Sequence, residues 1–104
     1  MNIRVSSPGN RLNSGEIDQI QKDLEKIDRR LGDGTEAQVE VRIKDGEPGQ
    51  DFSVTLEVDY RRNHLMSKAA HRDLGQAVRT AREEILRQIN DRSRRGHSSF
   101  AKGR

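Results

Sequence analysis

The sequence predicts an α+β protein in which two helices cover one face of a four-stranded sheet, in the order β-α-β-β-β-α. Four short segments alternate apolar and polar residues, which is the period of a strand buried on one face. Two longer segments repeat apolar residues every three or four positions, which is the period of an amphipathic helix. Because every element has one apolar side, both helices must lie on the same sheet face, giving a two-layer sandwich.

The first two elements are predicted near the amino terminus. Residues 2–6 alternate apolar and polar side chains before a Ser-Pro-Gly-Asn sequence, which predicts a short strand and a turn. An apolar stripe with helical spacing follows, formed by Ile17, Ile20, Leu24, Ile27 and Leu31. Asn13 or Ser14 can begin this helix by capping its free amides, and Gly32 can end it.

The central part of the chain predicts three antiparallel strands. Residues 37–43 and 52–60 alternate apolar and polar positions, and residues 45–49 between them have turn composition, so they form a predicted hairpin. Arg62 and Asn63 are predicted to turn the chain into a shorter strand around residues 64–68. With the first strand joined to the second through a βαβ crossover, these strands complete the sheet.

The last predicted element is a helix over residues 72–92. It rests on an apolar stripe formed by Leu74, Val78, Ala81, Ile85 and Ile89. Residues 93–104 continue without periodicity and are predicted to be a mobile basic tail. Residues 1–92 are therefore expected to form one domain, a size that permits a single hydrophobic core.

Composition argues against most catalytic chemistry. The chain has no cysteine, so a disulfide framework, a thiolate metal site and a cysteine nucleophile are excluded. His64, His71 and His97 have no helical spacing that would pair them on a metal. The strand carboxylates fall on exposed positions, where a solvated surface explains them better than an acid–base pair. We expect no enzyme, cofactor, metal or small-molecule substrate.

The amino terminus lacks a charged and then apolar leader, and the chain has no long apolar stretch. A soluble, cytoplasmic protein without membrane contact is the expectation. Charge is unevenly distributed: residues 71–104 hold nine Lys/Arg and four Asp/Glu, whereas residues 1–70 hold eleven and thirteen. A basic second helix and tail indicate a polyanionic partner.

The basic residues of both helices are the candidate binding residues. Lys22, Lys26 and Arg29 are spaced by four and three, so they are predicted to share the face opposite the apolar stripe. Helix solubility explains this spacing about as well as polyanion binding does. The full candidate set is Lys22, Lys26, Arg29, Arg79, Arg82, Arg87, Arg92, Arg94 and Arg95.

In the second helix, Arg79 and Arg82 are predicted to lie on one flank, whereas Arg87 lies on the other and pairs with Glu83. The helix dipole is also complemented by Arg92, Arg94 and Arg95 beyond the last predicted turn, which leaves a structural role open for them. Leu86 fits a partner contact or the rim of the core. The predicted open sheet face has mixed charge and no exposed aromatic residues for stacking bases, so the helices are expected to meet the polyanion.

Several segments of the chain resemble the ribosome hibernation-promoting factor and ribosome-associated inhibitor family, also called sigma-54 modulation proteins. The segments are Met1–Ser6, Leu24–Leu31, Asp73–Val78 and Arg87–Ile89. The resemblance implies the same β-α-β-β-β-α fold, similar in shape to double-stranded RNA-binding domains. It also implies binding to ribosomal RNA in the decoding region of the small ribosomal subunit, which would block messenger and transfer RNA in stationary phase or stress.

Lys26, Arg29 and Arg87 match basic positions of the family pattern, whereas Arg79, Arg82 and Arg92 are candidates from helical geometry alone. The chain departs from the pattern at Gly75, Glu84 and Asp91. The carboxy-terminal domain of long family members is missing from the sequence, so pairing of ribosomes through such a domain is not expected. A monomer or weak dimer is expected. The alternative is a homodimeric interaction module that uses Leu86 and an exposed strand edge.

Overall fold

The computed structural model describes residues 1–7, 12–32, 34–45, 48–49 and 51–101, and from residue 93 onward it describes the backbone alone. Its elements confirm the order β-α-β-β-β-α. They are β1 (Asn2–Ser6), α1 (Ser14–Leu31), β2 (Ala37–Asp45), β3 (Phe52–Tyr60), β4 (Asn63–His71) and α2 (Leu74–Ala101). Neither helix contains, within the described residues, a stretch apolar and long enough to cross a membrane.

The four strands form one sheet in the order β1-β2-β3-β4. β1 and β2 are parallel, and the other two neighbouring pairs are antiparallel. A parallel pair requires a crossover connection, and α1 provides it. Both helices contribute to one core with the inward side chains of the sheet, so the other sheet face stays open, as the alternating pattern predicts.

The hydrophobic core lies between the sheet and the helical layer. Its largest fully buried side chains are Leu24, Ile27, Val41, Val54, Leu56, Val58, Leu65, Val78 and Ile85. Burying one such side chain contributes about 1.5–3 kcal/mol to folding. Ser67 is also buried, and its hydroxyl donates a hydrogen bond to the carbonyl oxygen of Ala81 at 2.8 Å, which links β4 to α2. The two apolar stripes therefore bind both helices to one sheet face.

The capping signals of α1 act as predicted. Of the two candidate capping residues, the structure selects Asn13, whose side-chain oxygen accepts a hydrogen bond from the amide of Glu16 at 2.8 Å. The Glu16 carboxylate accepts in return from the Asn13 amide at 3.1 Å, forming a capping box. Gly32 ends the helix with a φ of 89°, a conformation that favours glycine.

Three predicted bounds are wrong, and the first is the end of β2, which continues past residue 43 to Asp45 through pairing with Phe52 of β3. The second helix does not end near residue 92, because α2 continues to Ala101. The apolar stripe marks the part of the helix that packs on the sheet, and the backbone continues its hydrogen bonding beyond that part. The mobility of residues 93–104 and the domain boundary at residue 92 stay predictions, and residues 102–104 lie outside the described part.

The fourth strand is longer than residues 64–68, because Asn63–His71 pairs with all nine residues of β3. Small side chains near its end hide the alternation, whereas backbone hydrogen bonds to β3 maintain the strand. The turn before it lies at Arg61 and Arg62 rather than at Arg62 and Asn63. Both arginines have positive φ angles, 46° and 70°.

Candidate nucleic-acid interface

α1 and α2 meet along a line of charged side chains, which we call the helix seam. Its centre is Asp23 of α1, whose carboxylate oxygen Oδ1 accepts a hydrogen bond from Gln19 at 3.2 Å. The other carboxylate oxygen is buried without a hydrogen bond, and the Arg79 guanidinium lies 3.8 Å from it as an ion pair. Arg82 donates to the main-chain oxygen of Asp23 at 3.2 Å. Two candidate binding residues on α2 therefore contact α1.

Arg82 is mostly buried in this seam. Only 14% of its side chain is exposed, and its Nε also donates to the Glu83 carboxylate at 2.9 Å. Arg79 retains more exposure, at 39% of its side chain. Arg82 is thus mainly a connection between the helices, whereas Arg79 presents a partly free guanidinium at the same surface.

Further along the seam, the helices enclose a groove with a cationic wall on α1. Its lining residues are Lys26, Arg29, Arg30, Glu83, Leu86 and Asn90. Lys26 and Arg29 therefore lie beside α2. They are not on the face opposite the apolar stripe, where the spacing predicted them. Lys26 lies 3.8 Å from the Glu83 carboxylate, with about half of its side chain exposed. Lys22, one turn before Lys26, is exposed on the same helix.

Arg30 is a groove residue that the sequence analysis missed. Its Nε donates a 2.6 Å hydrogen bond to the side chain of Asn90 on α2, so its position is fixed across the groove. Its signal in the sequence is the four-residue spacing from Lys26, which places both on one flank of α1. Leu86 is half-buried and packs against the core at the groove floor, as a rim residue would.

The other flank of α2 carries Arg87, which is 66% exposed. The predicted pair with Glu83 is wrong, because Arg87 binds the carboxylate of Glu84, with a shortest distance of 2.7 Å. Glu83 instead faces the seam, where it meets Arg82 and Lys26. The Arg87 hydrogen bond, with a further one from Gln88, holds the pKa of Glu84 below its ordinary value. Arg87 is therefore accessible but already neutralised.

Arg92 lies further along α2 than Glu84, toward the carboxyl end of the helix. Its guanidinium donates to the side chain of Asn63 at 3.2 Å, which joins α2 to the start of β4. Arg94 and Arg95 lie on the described backbone of α2, and their side chains lie outside the described part. The predicted cations whose side chains are described thus divide into a set along the helix seam and a set on the β4 side of α2.

The open sheet face carries charges of both signs that pair with each other. Arg42 lies 2.7 Å from Glu40 and 3.6 Å from Glu57. His64 and Asp59 form a 2.6 Å contact on adjacent strands, and this hydrogen bond raises the pKa of His64 above its ordinary value. These pairs place charges of both signs on the open face, whereas the α1 wall of the groove is cationic. Across the described ranges, no group of three or more His, Asp or Glu side chains could hold a metal ion.

The fold and the surface define a class: a small two-layer β-α-β-β-β-α domain whose helical layer carries a cationic groove. The model of the family described as sigma 54 modulation protein / S30EA ribosomal protein matches residues 4–97. The chain therefore belongs to that family. No curated protein matches the sequence.

Two solved structures share the fold. The first is the crystal structure of the Thermus thermophilus Protein Y N-terminal domain, which is 20% identical with a TM-score of 0.73. That match covers 86% of this chain and 96% of the other. The second is a ribosomal subunit interface protein from Coxiella burnetii, 14% identical with a TM-score of 0.73, covering 89% of this chain and 98% of the other. At these identities the likeness shows the fold alone.

Proposed function

We propose that the protein is a ribosome-associated translation inhibitor, a hibernation factor that binds ribosomal RNA in the decoding region of the small subunit. Membership of the S30EA family supports association with ribosomes. The Coxiella relative, described as a ribosomal subunit interface protein, has the same fold and supports the same assignment. In this proposal the protein acts in the cytoplasm, as a monomer or weak dimer, during stress or stationary phase.

The observation that carries the proposal is the cationic wall of the groove. One flank of α1 presents three cations to the groove, Lys26, Arg29 and Arg30. Lys22 lies one helical turn before Lys26 and is also exposed. Guanidinium groups bind phosphate through paired donors, and each neutralised phosphate releases counterions into solution. Several such contacts in a row favour a nucleic-acid backbone over an isolated anion.

The distribution of charge supports recognition by shape and phosphate position rather than by base stacking. The whole chain has one Tyr and two Phe, and the open sheet face carries pairs of opposite charge, Arg42 with Glu40 and His64 with Asp59. Contacts to phosphates orient a protein on RNA without reading its sequence. A protein bound in the decoding region would exclude messenger and transfer RNA by occupying their place. This inhibition requires no chemical reaction.

Binding to purified small ribosomal subunits over a range of salt concentrations tests this function. The variant Lys26→Gln/Arg29→Gln removes two cations from the groove, and Lys44→Gln/Lys68→Gln removes two from the open sheet face as a matched control. We expect wild type and control to co-sediment at low salt and dissociate at high salt, whereas the groove variant binds weakly throughout. Equal loss in both variants, or binding insensitive to salt, would contradict the proposal.

The homodimer alternative has a separate test. Leu86, its proposed contact, is half-buried against the core, so little of its surface is available to a second copy. Sedimentation equilibrium without RNA measures the association directly. A tight dimer, together with absence of the protein from ribosomal fractions, would favour the interaction module over the ribosome-binding function.

A further inference from the structure

The β3–β4 hairpin has two arginines at its tip, in a backbone conformation that disfavours them. β3 ends at Tyr60 and β4 begins at Asn63, so the loop is Arg61 and Arg62, with φ angles of 46° and 70°. Two-residue loops with positive φ at both positions are type I′ turns, for which Asn-Gly is strongly preferred. An Arg-Arg pair here reduces stability, and such strain is typical of positions that serve a function.

Arg61 has a structural role. Its guanidinium donates a 2.8 Å hydrogen bond to the hydroxyl of Thr35, which is only 8% exposed. That hydroxyl in turn donates to the main-chain oxygen of Leu31 at 3.2 Å. The hairpin tip is therefore attached to the carboxyl end of α1, where a cation also complements the helix dipole.

Arg62 has no such role. It is exposed and makes no hydrogen bond or ion pair with any residue that the structure describes. The next residue, Asn63, accepts the hydrogen bond from Arg92 of α2, so a second guanidinium lies beside the tip. A concavity at the tip is lined by Arg61, Arg62 and His64 and also by the carboxylates of Glu36 and Asp59, which repel anions. An anion bound by the guanidinium groups of both Arg62 and Arg92 would lie on the side of the tip that faces α2.

We propose that Arg62, together with Arg92, binds a phosphodiester of RNA, making the hairpin tip a contact separate from the groove. The proposal rests on the ribosome-binding function above. The tip adjoins the carboxyl end of α1, whose last turn carries Arg29 and Arg30. A nucleic-acid backbone that follows the groove toward this end meets the tip next, whereas an isolated phosphate could not engage both places. Consecutive phosphates are thus the ligand that this spacing of cations fits.

The variant Arg62→Gly separates binding from folding. Glycine suits the positive φ, so we expect a higher melting temperature than wild type. We also expect affinity for small ribosomal subunits at low salt to fall roughly tenfold or somewhat less, and the slope of log affinity against log salt to fall by about one. Lys68→Gln is the matched control: it removes one cation from the open sheet face and should leave the affinity and slope unchanged. Adding Arg92→Gln to Arg62→Gly should lower the affinity and the slope further.

The outcomes also separate this proposal from the one on which it rests. Wild-type affinity and slope for Arg62→Gly, with weak binding by Lys26→Gln/Arg29→Gln, would overturn the tip contact and leave the ribosome-binding function standing. Failure of the wild-type protein to bind subunits in a salt-sensitive way would overturn both. A lowered melting temperature of Arg62→Gly would overturn the argument that this arginine is kept at a cost to stability.

Discussion

Glu84 competes with RNA for Arg87 in the ribosome-binding function proposed here. Its carboxylate accepts hydrogen bonds from Nε and from one terminal nitrogen, Nη2, of Arg87, with the shortest at 2.7 Å. These are donors that a phosphate would use. Arg87 stays 66% exposed, which means that the ion pair, rather than burial, limits its availability. The structure thus gives a physical meaning to the departure from the family pattern at residue 84.

We predict that Glu84→Gln increases affinity for small ribosomal subunits, by roughly threefold if one exposed ion pair is released. Fluorescence titration at several salt concentrations measures the change. Glu25→Gln, which removes a carboxylate from the exposed surface of α1, controls for net charge. Equal gains in both variants would show that overall charge, and not the release of Arg87, sets the affinity.

The sequence predicts which residues are cationic and on which helix they lie, but not which of them are already paired. Arg79, Arg82 and Arg87 look alike in a helical pattern. The fold places the first two against Asp23, a residue 56 or more positions earlier in the chain, and leaves the third to a local carboxylate. Such long-range contacts depend on how two helices pack, which a periodic pattern does not encode.

At the scale of the elements, Arg82 belongs to the packing of α1 against α2 rather than to the outer surface. We expect Arg82→Met to lower the free energy of unfolding by about 1 kcal/mol, because methionine cannot make the partly buried hydrogen bond to the Asp23 main chain. For a domain of this size that corresponds to a melting temperature lower by roughly 4–8 °C. Thermal unfolding followed by circular dichroism provides the measurement.

Arg29→Met is the matched comparison, because Arg29 is exposed at the groove. Its stability should stay within about 0.5 kcal/mol of wild type, while its affinity for small subunits falls. The reverse pattern, a stable Arg82→Met and an unstable Arg29→Met, would show that the assignment of the two arginines is wrong.

The bounds of elements with a strong periodic pattern could be predicted from the sequence. The ends that only backbone hydrogen bonds maintain could not. The bounds of β1, α1 and β3 follow from alternation, capping and helical spacing. The residues that end β4 and α2 carry no such pattern. β4 extends because β3 beside it is nine residues long, and α2 extends past its apolar stripe, so both lengths depend on hydrogen bonds that side-chain patterns do not report.

In the whole molecule, the hydrophobic core and the proposed binding surface occupy different parts. The core ends at Ile89, which is 5% exposed and the last buried apolar residue in the described part of α2. Arg62, Arg92 and the last turn of α1 lie toward the same end of the molecule, where Thr35 and Asn63 connect the elements. The segment 93–104 follows this end and adds four cations, Arg94, Arg95, Lys102 and Arg104.

We therefore predict that deleting residues 93–104 changes stability and affinity in different degrees. The free energy of unfolding should change by no more than about 1 kcal/mol, since helix is removed beyond the last core residue. Affinity for small ribosomal subunits at low salt should fall, and the salt slope should decrease by about one for each phosphate that the shortened protein no longer neutralises. Chemical denaturation and subunit titration measure the two quantities on the same preparation. A large loss of stability with an unchanged salt slope would instead make the segment part of the folded core, and would overturn the domain boundary at residue 92.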